Sequence, residues 1–187
     1  MSEILVLIGL ACLTAVVIVV SVWLFLSLVG LVKTRVPYVP VPNAVSDAVA
    51  ELVSDTAKDS VVFYDIGSGD GRVVFSVASK IPTASVTGIE ISPAPFLLSL
   101  ILRTHKKLSR VTLRYVDATK VSYTDATHIF LYLFPHAVKN IYPKLKQELP
   151  RGSKIISCDF PVVGVTPDET KEIVTPYKKY TLYTYTI

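Results

Sequence analysis

Three glycines, Gly67, Gly69 and Gly71, occupy alternate positions directly behind an apolar run that closes on an acid, Val61-Val62-Phe63-Tyr64-Asp65-Ile66. Glycines in such a turn let the backbone approach a ligand closely, and the helix that follows aims its N-terminus at the same place. Dinucleotide sites favour G-x-G-x-x-G, with the third glycine three residues after the second. That position is Arg72 in this chain, and the third glycine falls at Gly71 instead. Asp65, two residues ahead of the first glycine, suits a ligand with no pyrophosphate and a cationic amino-acid end, whose α-ammonium it would hold directly or through water.

Two further acids extend the pattern. Glu90 closes a second strand-like run, where a carboxylate accepts hydrogen bonds from ribose hydroxyls. Asp117 closes a third and is placed to accept from the exocyclic amine of an adenine. Acids at three consecutive strand ends fall on the carboxyl edge of a parallel sheet, the edge at which open α/β sheets bind ligands. Amino acid, ribose and adenine together point to S-adenosylmethionine.

The elements that must position these residues follow from periodicity. Strands are expected over 61–66, 85–90, 111–116, 128–134 and 154–159, with helices over about 72–80, from Pro93, and over about 137–149. Asn43 is expected to cap a helix whose apolar face is Val45, Val49 and Leu52. The strands read as apolar runs, which indicates a mainly parallel sheet covered on both faces. Two closing strand-like runs, 171–175 and 180–187, have no helix before them and predict an antiparallel hairpin at the sheet edge. The expected fold is a Rossmann-like α/β sandwich with a seven-stranded sheet.

The chain has 187 residues, a net charge of +4 and two cysteines, Cys12 and Cys158, too few for a disulfide framework. No Cys/His cluster has metal-ligand spacing, so no metal is expected. The three histidines read as surface or packing residues. Residues 4–32 carry no charge, which at about 1.5 Å per residue is enough to span a bilayer. A signal peptide would have positive charge first and a shorter core. Lys33 and Arg35 follow, which places the C-terminal domain in the cytoplasm by the positive-inside rule. The chain thus divides into an N-terminal transmembrane anchor (1–33), a proline-rich linker (34–42) and one catalytic domain (43–187). Basic residues from Arg103 to Arg110, with Lys178 and Lys179, would favour an anionic surface, although cations gather at helix C-termini in any case.

The run Asp65-Ile66-Gly67-Ser68-Gly69-Asp70-Gly71 resembles the first motif of class I S-adenosylmethionine-dependent methyltransferases. Glu90 with Ile91 resembles their ribose-binding segment, and Asp117-Ala118 their adenine-side motif. Val36-Pro37-Tyr38-Val39-Pro40, Leu131-Tyr132-Leu133-Phe134-Pro135 and the segment from Glu148 to Phe160 are similar to a membrane-anchored group of protein-lysine methyltransferases. Its mitochondrial members modify the ATP synthase c subunit and the adenine nucleotide translocase. The resemblance implies cofactor contacts from Tyr38, Asp65, Gly67, Ser68, Gly69, Gly71, Glu90, Ile91, Asp117 and Ala118, with Tyr38 as a lid. It implies an acceptor channel lined by Tyr132 and Phe134, with Asp159 as a polar group beside it. Two positions depart from the prokaryotic pattern. Cys158 stands where histidine is frequent, and Val165 where a tryptophan precedes the later proline.

The expected activity is methylation of a lysine on a membrane protein, with the bilayer as partner. A lipid headgroup or small amphiphile is the alternative acceptor, and an inactive cofactor-binding membrane module is the alternative from another class. Nucleic acid is not expected as a partner, since Leu-Tyr-Leu-Phe-Pro lacks the Asn/Asp-Pro-Pro-Tyr/Phe pattern of base-methylating enzymes.

Overall fold

The computed structural model describes residues 2–34, 38–57 and 60–187. Helix α1 (Ser2–Thr34) leads into α2 (Asn43–Thr56), β1 (Val62–Ile66), α3 (Arg72–Lys80), β2 (Ser85–Glu90), α4 (Pro93–His105) and β3 (Thr112–Tyr115). A short 3-10 turn (Ala118–Lys120) precedes β4 (His128–Leu131), α5 (Pro135–Glu148), β5 (Lys154–Cys158), β6 (Glu169–Val174) and β7 (Lys179–Thr186). The seven strands form one sheet in the order β3-β2-β1-β4-β5-β7-β6. The first five strands pair in parallel; β7 pairs antiparallel with both β5 and β6. The Rossmann-like sandwich with an antiparallel closing hairpin is therefore present.

Each sheet face carries its own core. Val45, Val49 and Val53 of α2 join Val74 and Val77 of α3 over Phe63 and Phe130. Val138, Ile141 and Leu145 of α5 cover Ile66, Ile129 and Ile155 on the opposite face. Central strands buried on both sides need apolar residues at successive positions, and β4 obeys this with all four of its residues buried.

Several boundaries differ from expectation. β4 ends at Leu131 rather than Phe134, because the ladder stops where Leu131 meets Ile66 and Ser157. Beyond that level β1 has already turned into the glycine loop, so residues 132–134 run unpaired along the edge. β5 ends at Cys158, and Asp159 adopts a positive φ of 61°. Asn43 does not cap α2. It is the first helical residue, and the carbonyl of Pro42 accepts from Val45 and Ser46 instead. Of the proline linker, residues 35–37 lie outside the described residues, and 38–42 run without helix or strand.

α1 is exposed along most of its length, with a mean hydropathy of 3.0 over its most apolar window. It is long and apolar enough to cross a bilayer. Its last turns dock on the domain. Leu26, Val29 and Gly30 share a helical face that is partly or fully covered. A β-carbon at Gly30 would lie 3.1 Å from that of Ser92, so glycine permits the close approach. Lys33 Nζ donates to the Tyr115 hydroxyl at 2.9 Å.

The basic turn around Arg103–Arg110 sits at the opposite end of the sheet. α4 begins beyond the carboxyl end of β2 and runs back, so its last turn lies at the amino ends of the strands. There Arg103 and Arg110 donate to the carbonyls of Val111 and Ala78. These two cations satisfy backbone carbonyls.

His128, read from sequence as a packing residue, is buried between Thr56 (3.0 Å) and Thr127 (2.8 Å). Burial, with the Lys154 charge nearby, lowers its pKa from 6.5 to about 4. The unfolded chain then binds more protons than the folded one between those values, so stability is complete above 6.5 and is lost as pH falls toward 4. Replacing His128 with Gln should flatten the acid limb of a plot of melting temperature against pH in that window.

Candidate active site

A cavity of about 520 Å³ opens at the carboxyl edge, between β1 and β4, where the strand order reverses. This is the size and place of a cofactor pocket. Its floor is the turn after β1. Gly67, Gly69 and Gly71 have φ of 80°, 56° and 86°, a region that residues with a β-carbon avoid. A side chain at Gly67 would strike Leu133, one at Gly69 the ring of Tyr38, and one at Gly71 the ring of Phe75. Gly71 caps α3 from behind the cavity and does not line it; its place is to let the chain turn.

Three carboxylates converge on this turn. Asp70 is buried and forked by Arg72, with Nε at 3.0 Å and Nη2 at 2.5 Å. The same guanidinium donates through Nη1 to the Val41 carbonyl at 2.7 Å. Arg72 therefore pins the segment before α2 onto the glycine turn, a role that its sequence position did not disclose. Tyr38, on that segment, lies across Gly69, and its phenol is pushed upward by burial and by the Asp70 charge.

Glu90 accepts from the backbone amides of Gly69 (2.8 Å), Ile91 (2.9 Å) and Ser92 (2.6 Å). The carboxylate at the end of β2 is thus built into both the floor and the wall. Asp117 accepts from the amide and hydroxyl of Thr119 at 2.9 and 2.8 Å, which lowers its pKa. Asp65 differs from all of these. It is 2% exposed, and burial, followed by the charges of Glu90 and Asp70, raises its pKa well above the carboxylate range. No hydrogen-bonding group of the described residues relieves it. A cationic ligand supplied from outside the chain would. Asp65, Glu90 and Asp117 line one cavity, in which S-adenosylmethionine would meet them with its α-ammonium, ribose and adenine in that order.

The cavity wall includes Tyr38, Asp65, Gly67, Ser68, Gly69, Glu90, Ile91, Asp117 and Ala118, as well as Tyr132 and Phe134. Asp159 does not line it and stands behind its aromatic wall. Tyr132 and Phe134 stack against Phe160 with centroids 6.3 and 5.4 Å away, and Tyr132 meets Tyr180 edge-on at 6.5 Å. Behind them Asp159 accepts from Lys178 Nζ at 2.6 Å and from the Thr181 amide at 3.1 Å. The Lys178 ammonium also lies 4.6 Å from the Tyr180 centroid. Phe160, Lys178 and Tyr180 were missed in the sequence because they come from a loop and from the closing hairpin, whose partners only the sheet order brings together. Among the described residues no three His, Cys, Asp or Glu side chains converge to hold a metal ion.

The model of the ANTKMT methyltransferase domain matches residues 65–169. The chain belongs to this methyltransferase family. It is 28% identical over 154 residues to a protein-lysine N-methyltransferase of Saccharolobus islandicus, covering 82% of this chain and 94% of that protein. It is 29% identical over 137 residues to the human lysine N-methyltransferase of the ATP synthase c subunit, covering 73% of this chain and 57% of that one. The chain thus spans nearly all of the archaeal relative but a little over half of the human one. A crystal structure of an RNA methyltransferase from Salinibacter ruber in complex with S-adenosyl-L-homocysteine aligns with a TM-score of 0.70 and 33% identity. It covers 80% of this chain and 94% of that one. This family member is an S-adenosylmethionine-dependent methyltransferase.

Two outcomes follow from the turn. A carboxyl whose pKa is raised on folding holds its proton better in the folded chain, so it costs stability as pH rises above its ordinary value of 3.8. Asp65→Asn should therefore raise the melting temperature of the ligand-free protein at pH 8 while weakening cofactor affinity by roughly 100-fold, the scale of a lost charged hydrogen bond. Scanning fluorimetry and calorimetric titration read the two effects separately. Arg72→Met should release the Val41 segment and weaken cofactor binding about tenfold, with the fold intact by circular dichroism.

Proposed function

We propose that the enzyme is a membrane-anchored protein-lysine methyltransferase whose acceptor belongs to a membrane protein. The observation that carries the lysine reading is the cluster beside the aromatic wall of the cofactor cavity, where an ammonium group, that of Lys178, already rests against Asp159 and the face of Tyr180. Aromatic faces and a carboxylate are the groups that recognise a lysine head or its methylated forms. Relatives described as protein-lysine N-methyltransferases support the same acceptor class.

Bound in the cavity, S-adenosylmethionine supplies an electrophilic methyl group. Tyr132 and Phe134 line the cavity and stack on Phe160, and would align the incoming side chain and exclude water. Burial keeps the Tyr132 phenol protonated past its ordinary value, so it serves as a donor or a wall rather than as a base. The acceptor nitrogen must be neutral to attack in line. Asp159 holds a lysine as the cation, as its effect on Lys178 shows by raising that pKa. It is therefore a docking group, and the proton leaves to solvent before transfer.

The bilayer is supported as partner by α1, which places its last turn, Lys33, on the cavity wall. With Lys33 and Arg35 following the apolar segment, the catalytic domain faces the cytoplasm. An RNA acceptor, which the Salinibacter ruber protein's description raises, is not favoured by the charges beside the aromatic wall. The two lysines at the start of the closing strand are already paired, Lys178 with Asp159 and Lys179 with Glu172, so they offer no free track for phosphates.

Transfer of tritiated methyl groups from S-adenosylmethionine into host membranes tests the proposal. Label recovered as methyl-lysine in a protein band, and lost with Asp65→Asn, is the expected result; label in extractable lipid or in RNA overturns it. With the acceptor in hand, kcat/KM should rise about tenfold per pH unit across the neutral range, as attack by a neutral amine requires. Asp159→Asn should raise KM about tenfold with little change in kcat.

A further inference from the structure

The root of α1 meets the domain at one specific place. Gly30 lies against Ser92 and Lys33 against Tyr115, and these residues stand at the carboxyl ends of β2 and β3. The cavity opens on the same edge. At the far end of the sheet, β6 and β7 join beyond that edge, since Cys158 at the end of β5 is level with Leu182 near the start of β7. The hairpin tip therefore projects past the strand ends that hold the site. It carries Val174, 75% exposed, and Tyr177, 97% exposed. Between root and tip, Val39 and Phe134 are exposed at 48% and 39% on the cavity rim. Val174 and Tyr177 stand open to water, Phe134 is exposed while stacking on Phe160, and with Val39 the four share one edge. From β3 to β6 that edge spans six strand intervals, about 29 Å at roughly 4.8 Å each.

Resting on the anchor reading above, we propose that the carboxyl edge of the sheet is the surface that lies on the phospholipid bilayer. α1 pins the β3 end and the hairpin tip, with Tyr177, enters the headgroup layer at the β6 end. The occupant is lipid rather than a protein partner because the patch is continuous with the root of a helix of bilayer length. The attachment is apolar. The exposed lysines of the hairpin are paired with Asp159 and Glu172, and the basic turn of α4 points the opposite way. Amphipathic surfaces of this kind seat aromatic residues at the boundary between headgroups and acyl chains. The cavity mouth then faces the membrane, and the acceptor lysines are those standing at the membrane surface rather than on long soluble domains.

Tryptophan depth measurement tests this on the full chain, which has a single native tryptophan, Trp23, within α1. The chain is reconstituted in vesicles of phosphatidylcholine and phosphatidylglycerol, with and without bromine at the shallow end of the acyl chains. Trp23 in the unaltered chain reports on the anchor with deeply brominated lipid. In a Trp23→Phe background, Tyr177→Trp reports on the hairpin tip and Arg151→Trp on the opposite edge. Shallow bromine should quench the 177 reporter about twofold and leave the 151 reporter unchanged, as interfacial seating requires. Quenching at 177 should persist in high salt. If Trp23 is quenched but the 177 reporter is not, the edge does not lie on the bilayer and the anchor reading stands. If Trp23 is not quenched either, both fall.

Discussion

Three buried carboxylates, Asp65, Asp70 and Glu90, converge on a single turn, and the architecture of the site depends on how each is compensated. Asp70 is matched by a guanidinium and Glu90 by three backbone amides. Asp65 is left for the ligand. Asp70 thereby holds the segment before α2 through Arg72, and Glu90 holds the glycine turn against the end of β2 while still lining the cavity. Asp65 carries an electrostatic cost as the carboxylate, which it sheds by holding a proton or by pairing with a cationic ligand. Selectivity for a cofactor with an ammonium end is thus a consequence of withholding one partner while supplying the others.

The same turn explains why the two halves of the site are legible to different degrees. Asp65, the glycines, Glu90 and Asp117 were visible in the sequence because parallel strands alternating with helices bring their carboxyl ends into register without further information. The strand core was visible for the same reason, through successive apolar residues. The acceptor side was not. Phe160 belongs to a loop, and Lys178 and Tyr180 to a hairpin that reaches the site only because β7 inserts between β5 and β6. No local periodicity encodes that insertion. The role of Arg72 was hidden for a related reason. Its bond to Asp70 is local, but its bond to Val41 crosses thirty-one positions.

Element ends were the other weak point, and the physical cause is consistent. Residues 132–134 lie past the level at which β1 turns away, so there is no ladder left to join; Asp159 still donates its amide to the Thr181 carbonyl of β7 at 2.7 Å, but its φ of 61° turns the chain out of the strand. They are freed from the sheet where aromatic and acidic groups are needed to face a ligand. The overreach of a composition-based strand therefore marks the mouth of the site.

Tyr38 lies across Gly69, three residues before the carbonyl of Val41 that Arg72 holds. A side chain at position 69 would act twice, straining a backbone at φ 56° and pushing the ring off the cavity wall. Residues 38 and 69 therefore form one unit of the fold although they are far apart in the chain. A bulkier group at either place has to be matched by a smaller one at the other.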